Sequence, residues 1–145
     1  MATAGSARQS PLEGVARRQA FILVEERQWE KETGTCDLAS LTQKARTDVS
    51  GMIAEMDAGT ADASTKKRVA QPWIYVRDHA VFPRALVVMK KADGLSLIDG
   101  SHRMAAFEMI QRLSDAQLAE MGKDRPARAQ DVWLGTHRDG EVPDG

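Results

Sequence analysis

The sequence predicts an α+β fold, a small mixed sheet packed against helices, and three observations predict it. Two short apolar runs at 85–89 and 95–98 flank Lys91-Ala92-Asp93-Gly94, whose Asp-Gly pair is a strong hairpin signal. Directly after them, Met104, Ala105, Ala106, Phe107, Ile110 and Leu113 follow the spacing of an amphipathic helix. A second stripe of that kind, Leu41, Ala45, Val49, Met52, Ile53 and Met56, lies upstream.

Taken in order, residues 1–11 are small and polar and read as a disordered lead-in that adds nothing to a core. One domain is expected over 12–135. Within 12–31, Val15, Ala16, Ala20, Ile22, Leu23 and Trp29 are too clustered for a helical stripe, and the run 21–24 reads equally as a short strand or a buried helical turn. Gly34 marks a break, after which Asp37 or Ser40 is expected to cap the helix that carries Leu41 to Met56 and that Gly59 ends. Residues 60–67 read as a polar loop running into Lys66, Lys67 and Arg68.

The alternation of Trp73 and Tyr75 after Pro72 predicts a strand over 73–76. Strands over 85–89 and 95–98 come next, then a helix over 101–113 whose Met104, Phe107, Ile110 and Leu113 are expected in the core. Ser114-Asp115 begins a short helix through Leu118 and Met121 that Gly122 closes. A last strand is expected over 129–134, between Pro126 and Gly135, and 136–145 reads as a frayed polar tail.

With 145 residues, 42% of them hydrophobic, the chain suits one core and leaves no room for a second full domain. Lys and Arg total 20 against 21 for Asp and Glu, so a net charge of -1 gives no global attraction to nucleic acid or an anionic membrane, and any polyanion contact is local. Cys36 is the single cysteine, which excludes an internal disulfide and agrees with a reducing compartment. No apolar run approaches the roughly 20 residues of a membrane span, and the N-terminus lacks the apolar core of a secretory signal. A cytoplasmic protein with no membrane partner is therefore expected.

The chemistry concentrates at Asp99-Gly100-Ser101-His102-Arg103, where strand gives way to helix. Such a junction leaves the first helical N–H groups unpaired and favours negative charge. Gly100 permits a sharp turn and a close approach by a ligand. Ser101 supplies a cap or a hydroxyl donor, and the Arg103 fork matches phosphate oxygens at any useful pH. His102 donates one hydrogen bond when neutral and two when protonated, so it can gain a proton as an anion binds. Asp99 repels bare phosphate, which suggests a second task such as holding a metal ion or accepting a hydroxyl proton; it also suits a helix cap.

These five residues, with Ala105-Ala106-Phe107 on the helix behind them, resemble the turn of the ParB/sulfiredoxin superfamily, over about residues 71–113. The resemblance implies a ParB/sulfiredoxin-like fold and a nucleotide-binding domain that takes ATP or CTP, with Mg. It places phosphate contacts at Gly100, Ser101, His102 and Arg103, with Asp99 near the metal or acceptor, and catalytic roles at Asp99 and His102. Sulfiredoxins carry a nucleophilic cysteine where this chain has Ser101, which argues against sulfinic acid reduction. ParB proteins use Glu-Arg-Arg at the turn and add a helix-turn-helix domain, for which too few residues remain after Leu113. The Asp-Gly-x-His-Arg form is closest to the free-serine kinases of the superfamily, whose additional acidic residue Glu25 or Glu26 matches only by position.

Phosphotransferase or NTPase activity is the leading expectation. The alternatives are a plasmid- or phage-type partition-like accessory protein that acts on DNA or a DNA-bound protein, and an inactive docking domain. Lys66, Lys67 and Arg68 are the nucleic-acid candidates, against the simpler reading of a solvated loop. Arg103 could instead pair with Asp99 or Glu108. His79 and His137 read as isolated and solvent-exposed, and Met52, Met56, Met104 and Met109 as core. Trp73 and Trp133 read as filling the sheet–helix interface rather than stacking on a base.

Overall fold

The computed structural model describes residues 27–137. The expected lead-in, the run 21–24, Glu25, Glu26 and most of the expected tail lie outside the described residues. The elements are β1 (Arg27–Thr35), a 3-10 turn (Leu38–Ser40), α1 (Gln43–Ala58), α2 (Ala63–His79), β2 (Leu86–Lys91), β3 (Gly94–Asp99), α3 (Ser101–Gln111), α4 (Asp115–Met121) and β4 (Ala129–His137). Helices and a four-stranded mixed sheet of order β1-β4-β2-β3 make this an α+β fold, as the sequence predicts. β2 runs parallel to β4, whereas the β1–β4 and β2–β3 pairs are antiparallel.

The strands alternate inward and outward as their two-residue period requires. Leu86, Val88, Val132, Leu95, Leu97 and Leu134 belong to the main core with the helices, while Val87 and Trp133 form a second cluster with Trp29, Ala85 and Ile98. Trp133 therefore sits away from the sheet–helix interface where the sequence placed it. Trp29 lies opposite Gly135, where an added Cβ would meet its ring at 2.9 Å, so the glycine makes room for the indole.

α3 packs against both α1 and α2, and α1 reaches β3. Met104, Phe107 and Ile110 are almost fully buried, at roughly 1.5–3 kcal/mol of apolar transfer each. Leu113 lies just past the end of α3 and is only partly buried. Glu108, also buried, is held by Arg128 at 3.0 Å and lies 3.8 Å from Arg112, which fixes α3 to the segment entering β4.

Several expectations are corrected. The predicted strand over 73–76 is the C-terminal half of α2, and the predicted loop over 60–67 contains its start, because the Asp62 carboxylate accepts a 2.7 Å hydrogen bond from the Thr65 amide. Val69, Pro72 and Val76 face inward at intervals of three and four, so the buried period is helical and the alternation of Trp73 and Tyr75 is incidental. The fourth strand is instead β1. Thr42 caps α1, while Asp37 caps only the 3-10 turn before it. β4 extends through Thr136 and His137, past the expected boundary. The β2–β3 hairpin, the Gly59 stop and the span of α4 between Ser114 and Gly122 agree with the sequence, and Ser114 and Gln117 form a capping box at the start of α4.

Candidate functional site

β3 approaches its end through an irregular register: Val88 pairs with Leu97 and Val87 with Asp99, which leaves Ile98 as an extra residue. Such a bulge bends the strand and re-aims the chain beyond it. Gly100 then turns the chain with φ 121° and ψ 18°. A Cβ there would lie 2.5 Å from Leu86 Cδ2 and 3.0 Å from Arg103 Nη2. The missing side chain thus leaves the space in which Leu86 and Arg103 pack, and Gly100 itself lines a cleft.

Neither Asp99 nor Ser101 caps α3. Gly100 holds the cap position without a side-chain hydrogen bond, and no acidic residue occupies the first turn. α1, α2 and α4, by contrast, are capped by Thr42, Asp62 and Ser114. The start of α3 is therefore the helix end at which the N–H groups and the positive end of the dipole are least offset by side-chain oxygens.

All five motif residues line one cleft of about 740 Å³. Its opposite wall is α2, through Arg68, Gln71, Pro72 and Tyr75, which fall at the intervals of one helix face, and Pro83 and Arg84 complete the rim. Of the predicted basic cluster only Arg68 reaches the cleft. Lys66 and Lys67 are exposed on α2 outside the cleft lining, and the three lie in a helix rather than a loop. Sequence reasoning missed Arg84 and the wall from Gln71 to Tyr75, for which the available signal was the helical interval between Arg68 and Tyr75.

The two basic side chains of the motif differ. Arg103 is largely buried, its Nη2 donating to the Ala85 carbonyl at 3.3 Å and lying 3.5 Å from the Asp99 carbonyl and 3.8 Å from the Asp99 carboxylate. The alternative pairing with Asp99 is thus realised, and that with Glu108 is not. His102 is half-buried, and burial, then the Arg68 and Arg103 guanidiniums, hold its imidazole below the usual histidine range against the opposing pull of Asp62. Arg68 and Arg84 are exposed and make no hydrogen bond or ion pair with other described residues.

The remaining candidates lie apart. His79 is exposed and packs against Tyr75 with ring centroids 4.3 Å apart and planes tilted by 41°. Trp73 packs against the core from α2, with the Arg77 guanidinium 5.6 Å over its ring. Cys36 is buried, and burial followed by the Asp37 charge pushes its thiol up to about 11. Among the described residues no group of three or more His, Cys, Asp or Glu gathers around a metal position, and no helix is long and apolar enough to cross a membrane. No protein-family model, curated protein or solved structure matches the chain.

Proposed function

We propose that this chain is a nucleotide phosphate-binding domain, ParB/sulfiredoxin-like in fold, that takes ATP or CTP and serves phosphoryl transfer or triphosphate hydrolysis. The observation that carries the reading is the cleft whose described lining holds Arg68, Arg84, Arg103 and Asp99, against the uncapped start of α3. Among the described residues that line it, three guanidiniums against one carboxylate leave positive charge in excess. Its volume of about 740 Å³ falls within the range of small-molecule sites and exceeds what one phosphate needs.

In this reading Arg68, Arg84 and the first amides of α3 hold the phosphates, while Arg103 keeps the turn in shape and adds its charge from beneath. Ser101 and His102 offer further donors. Asp99 is the candidate base for a hydroxyl acceptor. One carboxylate already paired with a guanidinium is a poor fit for a protein-held Mg²⁺ site, so a divalent ion would be carried on the phosphates themselves.

Calorimetric titration with ATP, CTP and GTP in magnesium tests the reading. Binding is expected to weaken about tenfold or more in each of Arg68→Ala and Arg84→Ala, the scale of one charge-assisted hydrogen bond. No binding by any of the three nucleotides, or binding unchanged in both variants, overturns it. Phosphate release that persists in Asp99→Asn would remove Asp99 from the chemistry and leave the binding site in place.

A further inference from the structure

We propose that the cleft takes up one proton as it binds its anion, with His102 as the group that accepts it. The inference rests on reading the cleft as a phosphate site and deepens it: the preferred ligand is a fully ionised phosphate group, whose charge makes room for the imidazolium.

The geometry sets up the coupling. His102 stands in the first turn of α3 and lines the cleft together with Arg68 of α2, Arg84 of the rim and Arg103 one residue on. The charged groups around it are unequal. From α2 come Arg68 and the Asp62 carboxylate, which is engaged with the Thr65 amide. On β3 Asp99 is turned to Arg103, and on α1, near Ser101, Lys44 and Asp48 neutralise each other at 2.9 Å. Half-burial, and among the described residues the excess of Arg68 and Arg103 over Asp62, thus favour the neutral ring.

An oxyanion in the cleft reverses this balance. It sits against the same guanidiniums, offsets their repulsion and offers the ring an acceptor for its second N–H. Binding and protonation then assist each other by linkage, and each must strengthen the other by the same factor. Over the pH range between the two states of the imidazole, affinity rises as pH falls, by at most tenfold per unit for one proton.

Sulfate is the appropriate first probe, because it stays a dianion across the range in which phosphate esters themselves titrate. The chain has three histidines, and loss of one imidazole resonance in His102→Gln assigns the signal. In chloride, His102 is expected to titrate below about 6.5; in saturating sulfate at matched ionic strength its midpoint should rise by about one unit, equivalent to about tenfold tighter binding at the acid end. Sulfate affinity of His102→Gln should no longer change with pH over the range in which that of the parent does. If sulfate binds, and binding weakens in Arg68→Ala, yet the His102 midpoint does not move, proton coupling is overturned and the phosphate site stands. If neither sulfate nor magnesium nucleotide binds at any pH, both fall.

Discussion

Replacing Gly100 by alanine should be the most damaging one-methyl change in the candidate site, and its cost can be worked from two contributions. The backbone at φ 121° lies in a region that residues with a side chain occupy only at about 1–3 kcal/mol. The added Cβ would also stand 2.5 Å from Leu86 Cδ2. Leu86 is 2% exposed, at the centre of the helix-facing side of the sheet, so it cannot swing away cheaply; forced repacking of that kind costs about 1–3 kcal/mol. Together these give a loss of about 3 kcal/mol, within the 5–15 kcal/mol a domain of this size commands, so Gly100→Ala should still fold and melt about 10 °C lower. Urea titration measures the loss directly, and a cycle with Leu86→Ala divides it. The part due to the clash, about 1–2 kcal/mol, should vanish in the double variant, whereas the backbone part should persist. A loss below about 1 kcal/mol for the single variant would refute the account of the turn.

Ala80 ends α2 in the left-handed region at φ 62°, so Ala80→Gly should stabilise the protein by about 0.5–1 kcal/mol in the same titration. The Cys36 thiol, held protonated by burial, keeps its proton up to about 11 while the unfolded chain loses it near 9. Its contribution to stability is therefore complete below about pH 9 and falls as pH rises toward 11, by up to about 3 kcal/mol relative to Cys36→Ala. The same shift should slow its reaction with a disulfide reagent at pH 8 by about 100-fold against the unfolded chain.

What the sequence disclosed of this fold was whatever is encoded over a few adjacent residues. Asp93-Gly94 turns β2 into β3, Ser114-Asp115 starts α4, and Gly59 and Gly122 end their helices in left-handed conformations. α2 was illegible because its signals conflict. A basic run resembles a loop and Pro72 resembles a break, yet the proline is buried within the helix, where its missing N–H costs one backbone hydrogen bond. Burial of Val69 and Val76 on either side holds the helix through that loss. β1 was illegible for the opposite reason: Glu30, Lys31, Glu32 and Thr33 are exposed on an edge strand that carries no apolar run.

The same division runs through the site. A contiguous motif is visible in a sequence, whereas a wall built from a misassigned helix is not, so the sequence singled out Asp99 to Arg103 of the cleft lining and passed over Arg84. This matters for which charge does what. Arg103 looks like the phosphate fork when read along the chain, but its Nη2 is directed at the Ala85 carbonyl and the Asp99 carboxylate, and Gly100 leaves the space in which it lies. A guanidinium spent on two segments of its own protein sets the shape and background potential of the turn. It has less freedom to follow a ligand than Arg68 and Arg84, which stand exposed on the facing wall and the rim. On the proposed reading, preorganisation and capture thus fall to different arginines. Loss of Arg103 should therefore appear first as lost stability, and loss of Arg68 or Arg84 first as lost affinity, since a side chain already engaged at home has its main effect on folding.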